Sequence, residues 1–140
     1  MKGMKKNNKL HALHVLHGRT IPFLEEIRMA LTEVTGDTFA QEVLEADRPV
    51  LVDFWGPRCQ PCLALMPVVE RLAEAYADSV KVVKVNASIR PNWRLCGDHK
   101  VLGLPAYLFF QNGQEVKRIT GEGITGRTLS DVIEALIKTM

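Results

Sequence analysis

The chain has 140 residues, enough for one domain of ordinary size and too few for two. Hydrophobic residues make up 46% and charged residues 24%, the balance of a globular chain with a core. Eighteen Lys and Arg against 16 Asp and Glu give a net of +2, which argues against a dedicated nucleic-acid binder. No apolar run approaches the roughly 20 residues that cross a bilayer, so stable membrane insertion is excluded.

The positive excess is confined to one end. Residues 1–32 hold six basic and two acidic residues, whereas residues 33–140 hold twelve and fourteen. This divides the chain into a basic N-terminal extension, 1–32, and a domain over 33–140. Met1–Lys9 imitates the positive start of a signal peptide. The Leu10–His17 stretch that follows has a histidine every third residue and makes a poor apolar region. No small-x-small cleavage site follows it, so the expectation is a cytoplasmic protein. On a helix His11, His14 and His17 would fall within about 120° of one another and could chelate a metal. They share the segment with Leu10, Leu13 and Leu16, and no carboxylate orients them, so an amphipathic, loosely ordered tail is the preferred reading. Residues 22–31 read as a short helix, with Pro22 at its first position and Phe23, Ile27 and Leu31 on one face.

Beyond Leu31 helical and extended patterns alternate. Asp37 can cap a helix running to about Ala46. Pro49–Trp55 is an apolar run broken only by Asp53, as suits a strand buried on both faces. Cys59–Ala77 repeats apolar residues at helical spacing, with Pro67 inside removing one hydrogen bond. Val80–Asn86 is β-branched and extended, and a short helix follows over 92–100. Ala106–Gln111 and Glu115–Ile119 flank Asn112-Gly113, the signature of a type I′ hairpin. Thr128-x-x-Asp131 opens a last helix. Helices and strands in alternation, with crossovers ahead of a hairpin, predict an α/β fold: a mixed central sheet with helices on both faces.

The chemistry-bearing motif is Cys59-Gln60-Pro61-Cys62, where the buried strand hands over to the long helix. Free N–H groups and the positive end of the helix dipole stabilise a thiolate in the first turn, and Arg58 adds a charge of the same effect. Cys62, one turn on, can close a ring by attacking a mixed disulfide at Cys59. Half of a zinc site is the alternative. It needs two more ligands, and Cys96 and the histidines are not paired with Cys59 at a suitable spacing.

Val50–Trp55, Cys-x-Pro-Cys62, Met66-Pro67, Val85-Asn86, Gly103-Leu104-Pro105, Phe109-Phe110-x-Asn112-Gly113 and Gly121 together resemble the thioredoxin family, in order and at close to its spacing. The resemblance covers roughly residues 33–140 and implies the thioredoxin fold. It implies a protein-disulfide reductase that takes disulfide-containing proteins as substrates, draws electrons from a thioredoxin-reductase-type donor, needs no cofactor of its own, and works as a monomer. Asp53 matches the buried aspartate that moves protons to and from the second cysteine. A salt-bridged structural aspartate is the alternative. Lys84 matches the lysine beside that aspartate, although strand lysines more often face solvent. Pro105 matches the cis-proline that frees the Leu104 backbone to pair with an extended substrate, with Trp55, Gly56, Leu104, Pro105 and Gly121 flooring the groove.

The chain departs from the family in several places. Arg58 replaces the tryptophan usual before the first cysteine, exchanging an aromatic contact for a charge that favours acidic partners. Gln60-Pro61 replaces Gly-Pro in the dipeptide that tunes the reduction potential, where about 30 mV corresponds to about 1.4 kcal/mol. Ser88 stands where an aspartate is common, the Ala87–Asn92 loop is longer, and residues 1–32 have no counterpart. Leu104 is close to the isoleucine of reducing members, which favours a reductant. A binding module for one dedicated partner, or an oxidase or isomerase, are the other readings. Cys96 is expected as a buried free thiol, with a regulatory disulfide as the alternative, and Trp93 as a partly exposed packing residue.

Overall fold

The computed structural model describes residues 31–139 and, as backbone, residues 13–16 and 19–22. In the extension, β1 (Leu13–Leu16) and β2 (Arg19–Pro22) pair antiparallel, Leu13 opposite Pro22. Pro22 therefore ends a strand rather than opening a helix, and Leu31 opens β3 (Leu31–Glu33). The expected helix over 22–31 is thus replaced at both its ends, and residues 23–30 between them lie outside the described residues. His14 lies in β1, so a helical histidine array does not form there. His11 and His17 lie outside the described residues.

The domain is a five-stranded sheet in the order β3-β5-β4-β6-β7. Its strands are β3, β4 (Val50–Trp55), β5 (Lys81–Asn86), β6 (Ala106–Gln111) and β7 (Gln114–Thr120). β5 is parallel to both β3 and β4, while β6 runs antiparallel to β4 and β7 antiparallel to β6. The mixed sheet expected from the element order is thereby formed. Asn112 and Gly113 take φ of 54° and 79°, as the hairpin turn demands, and a Cβ on Gly113 would stand 3.1 Å from the Leu44 carbonyl oxygen.

Two layers cover the sheet. Alternation along β4 sends Val50, Val52 and Phe54 to one face and Leu51, Asp53 and Trp55 to the other. The first face packs against Phe39 and Val43 of a short π-helical segment (Ala40–Leu44 and its cap) and against Leu95 and Cys96 of α2 (Trp93–Asp98). The second packs against Val69 and Ala73 of α1 (Gln60–Ala75) and Leu129 and Ile133 of α3 (Gly126–Lys138). α1 runs through Pro67 unbroken, since Pro67 withholds only the one N–H that would have met the Leu63 carbonyl. The cap of α3 lies three residues before the expected one: Thr125 and Thr128 satisfy each other's backbone N–H groups as a capping box. Among the described residues no helix is long and apolar enough to cross a membrane.

Candidate active site

The site forms where β4 ends. Gly56 and Pro57 turn the chain into α1, the Cys59 N–H donates to the Gly56 carbonyl at 3.1 Å, and Cys59 becomes the N-cap of the helix. Its sulfur accepts from the Cys62 N–H at 3.3 Å. The sulfur of the first cysteine therefore occupies the position where unpaired helical N–H groups and the helix dipole favour negative charge. Gln60 and Pro61 take the first two helical positions, where Pro61 forfeits no bond, and both are exposed.

Cys59 and Cys62 form a disulfide across Cα atoms 5.2 Å apart. Their environments differ. Cys59 is half-buried and borders a surface hollow of about 380 Å³ with Gly56, Pro57, Arg58, Ser88 and Leu104, whereas Cys62 is fully buried. Cys62 falls on the α1 stripe that continues through Met66, Val69 and Ala73, so it faces the sheet. No described group of His, Cys, Asp and Glu could hold a metal, and the second cysteine is engaged with the first.

On the sheet face beneath α1 a polar row crosses three strands. Asp53 pairs in register with Lys84 on β5 and with Tyr107 on β6. Asp53 is 0% exposed, and among the described residues neither carboxylate oxygen has a hydrogen-bond or ion-pair partner. Burial pushes the Asp53 carboxyl up from 3.8 to about 7, the Lys84 charge pulling it back and Glu33 adding to the rise. Lys84 is not simply solvent-facing: its ammonium lies 5.4 Å from the centre of the Trp55 ring and 3.7 Å from Glu33 Oε1. Trp55 Nε1 is also buried, with no hydrogen-bond partner among the described residues.

Sequence reasoning missed Tyr107. Its hydroxyl is buried with no hydrogen-bond partner among the described residues, and burial together with the Asp53 charge pushes its proton affinity up. In an apolar strand a tyrosine reads as core, and nothing local signals that the residue opposite is the buried acid. Asn92 was missed as well. It is fully buried, accepting from the Gly36 N–H at 2.8 Å and donating to the Asn86 carbonyl at 2.9 Å, which ties the long loop after β5 to the segment after β3. Ser88, in place of an acid, turns back on Asn86 through its N–H and hydroxyl.

The groove residues divide into two groups around Leu104. The Leu104–Pro105 peptide is cis. Leu104 overhangs Gly56, where an added Cβ would stand 3.2 Å from its Cδ1, so a side chain there would push the exposed Leu104 aside by a few tenths of an ångström. Gly121 lines a second hollow with Leu104 and Pro105, not the one bordered by Cys59. Cys96 is a buried free thiol pushed up by burial, and Trp93 is 55% exposed with the Arg90 guanidinium 5.6 Å from its ring centre.

A half-exposed and a buried cysteine at a strand–helix junction, beside a cis-proline, constitute a site for exchange between dithiols and disulfides. The thioredoxin family profile matches residues 30–135. The chain is 41% identical over 105 residues to thioredoxin 1 of Nostoc sp., covering 75% of this chain and 95% of that protein. It is 42% identical over 101 residues to thioredoxin 1 of Synechococcus elongatus (72% and 92%), and 40% identical over 93 residues to the thioredoxin of Porphyra purpurea (66% and 85%). The chain belongs to the thioredoxin family, and it is a thiol–disulfide oxidoreductase acting on protein disulfides.

Proposed function

We propose that the protein runs this exchange as a reductant. The observation that supports the reading best is the asymmetry of the cysteine pair: Cys59 borders open space while Cys62 is buried and faces the layer that holds Asp53. In the reduced protein the Cys59 thiolate attacks a substrate disulfide. A Cys59–substrate bond forms, and the first substrate sulfur leaves and takes a proton. Asp53, poised near neutrality, accepts the Cys62 proton. The Cys62 thiolate then attacks the Cys59 sulfur, the second substrate sulfur leaves as thiolate, and the chain ends as the Cys59–Cys62 disulfide, having given up two electrons.

In this reading Trp55, Gly56, Leu104, Pro105 and Gly121 floor the substrate groove, and Arg58, Gln60 and Pro61 rim it. An extended substrate segment pairs with the Leu104 backbone beside the cis bond. The chain contains no nucleotide or flavin fingerprint, so the electrons come from a separate reductase of the thioredoxin-reductase kind. A monomer in a reducing cytoplasm fits this direction of flow. Equilibration of the Cys59–Cys62 pair against a glutathione or dithiothreitol series tests it. A potential near the roughly −270 mV of thioredoxin is expected, and a value near or above about −180 mV overturns the reductant reading in favour of an oxidase or isomerase.

A further inference from the structure

Leu104 is shared by the two hollows, each of about 380 Å³. The first, at the cysteine end, carries Arg58. The second, beyond the cis peptide, carries Lys100 and Arg118 beside Leu102, which is 93% exposed. Among the described residues no carboxylate lines either hollow. This is unexpected, because residues 33–140 hold more acids than bases.

The three cations are not equivalent. Arg118 is committed: it pairs with Glu115 at 2.7 Å and donates to the His99 and Lys100 carbonyls at 2.6 and 2.9 Å, bracing the loop that leads to Leu102. Arg58 and Lys100 form no ion pair among the described residues. Lys100 is held at φ 56° at the end of α2, its N–H bonded to the Gly97 carbonyl. Among the described residues the groove thus has a cation without an ion-pair partner on each side of Leu104.

We propose that Arg58 and Lys100 select substrate disulfides whose reactive cysteine is flanked on both sides by acidic residues. The proposal rests on the reductant reading of the same site. An extended segment seated along Leu104–Pro105, its cysteine at Cys59, sends its neighbours toward Arg58 in one direction and toward Lys100 in the other. Exposed cations at the rim of a groove act on encounter rate and discrimination more than on final affinity, and salt screens them.

The test uses three cystine peptides that differ only in the residues flanking the reactive cysteine: Asp and Glu, Ser and Gln, or Lys. Each is reduced by the reduced full chain, and each rate is divided by that of dithiothreitol on the same peptide, which removes the flanking charges' effect on the substrate sulfur. The acidic peptide is expected to outpace the basic one about tenfold at low ionic strength, a ratio that collapses toward unity in about 0.5 M salt. Arg58→Ser and Lys100→Ser should each lower the ratio, and the double change Arg58→Glu, Lys100→Glu should invert it. The ratio is the readout because a change at Arg58 also alters Cys59 reactivity toward every substrate. Equal normalised rates at low salt, or a ratio unmoved in the double variant, overturn the proposal while leaving the reductant reading intact. Failure to reduce even the neutral peptide overturns that reading, and the proposal with it.

Discussion

The two faces of the central sheet are made from the same strands, with one residue of β4 going each way in turn. Toward the π-helical segment and α2 go Val50, Val52 and Phe54, joined by Val83, Val85, Leu108, Phe110 and the Cys96 thiol, with the His99 ring packed against Phe39 and Phe110. Toward α1 and α3 go Leu51, Asp53 and Trp55, and here Lys84, Asp53 and Tyr107 stand side by side across three strands. Asp53 and Tyr107 are buried on this face without hydrogen-bond partners among the described residues. One face supplies stability through apolar packing. The other buries an acid and a hydroxyl without hydrogen-bond partners among the described residues, which costs stability.

Truncation on the apolar face should have the largest effect. Phe54→Ala removes a fully buried ring and is expected to cost about 3–5 kcal/mol in urea unfolding at any pH between 5 and 8. A loss that varied steeply with pH would blur the contrast between the faces.

On the polar face the sign reverses. The folded-state pKa of Asp53, about 7, lies above the 3.8 of the free group, so the folded protein holds this proton more tightly than the unfolded chain. The contribution of this group to stability is therefore greatest below about pH 4, falls as pH rises between about 4 and 7, and stays low above. Asp53→Asn mimics the protonated acid at every pH. It should match the parent at low pH and exceed it at pH 8 by up to about 4 kcal/mol, at about 1.4 kcal/mol per pH unit, while slowing disulfide exchange. Equal stability of the two proteins at pH 8 would remove the proposed tension between burial and chemistry.

Tyr107→Phe deletes a buried hydroxyl that has no protein partner, and is expected to stabilise by up to about 1 kcal/mol. A clear destabilisation would mean that the hydroxyl is bonded, with Asp53 across the strand pair as the acceptor in register. The smallest effect belongs to Lys84→Gln. The Lys84 charge lowers the Asp53 pKa, so its removal should move the Asp53 titration, followed by carboxyl NMR, to higher pH. A downward move would contradict the arrangement.

How much of this was legible in the sequence follows from the same contrast. β4, α1, β5 and the β6–β7 hairpin announce themselves through long apolar runs, helical spacing and Asn112-Gly113. Asp53 stands out because a lone acid in an apolar strand must be explained. Tyr107 and Asn92 do not stand out: one has the composition of a core residue and the other that of a loop residue, and only the pairing of distant segments gives them their roles. β3 is too short, at three residues, to show a period, so Leu31 read as the end of a helix. The expected helix from Asp37 shrinks to Ala40–Leu44, where Phe39 takes the cap position without a side-chain hydrogen bond. The start of α3 was misjudged because Thr125 and Thr128 are both sound caps, and Gly126 gives no helical signal of its own.

The most direct test of the central claim uses the Cys62→Ser variant, reduced and mixed with a disulfide-bonded protein such as insulin. With the buried partner unable to resolve the intermediate, a stable mixed disulfide should accumulate, and peptide mapping should place it at Cys59 alone. No adduct, or an adduct carried by Cys96, would contradict the assignment of Cys59 as the attacking thiol and of Cys62 as the one that releases it.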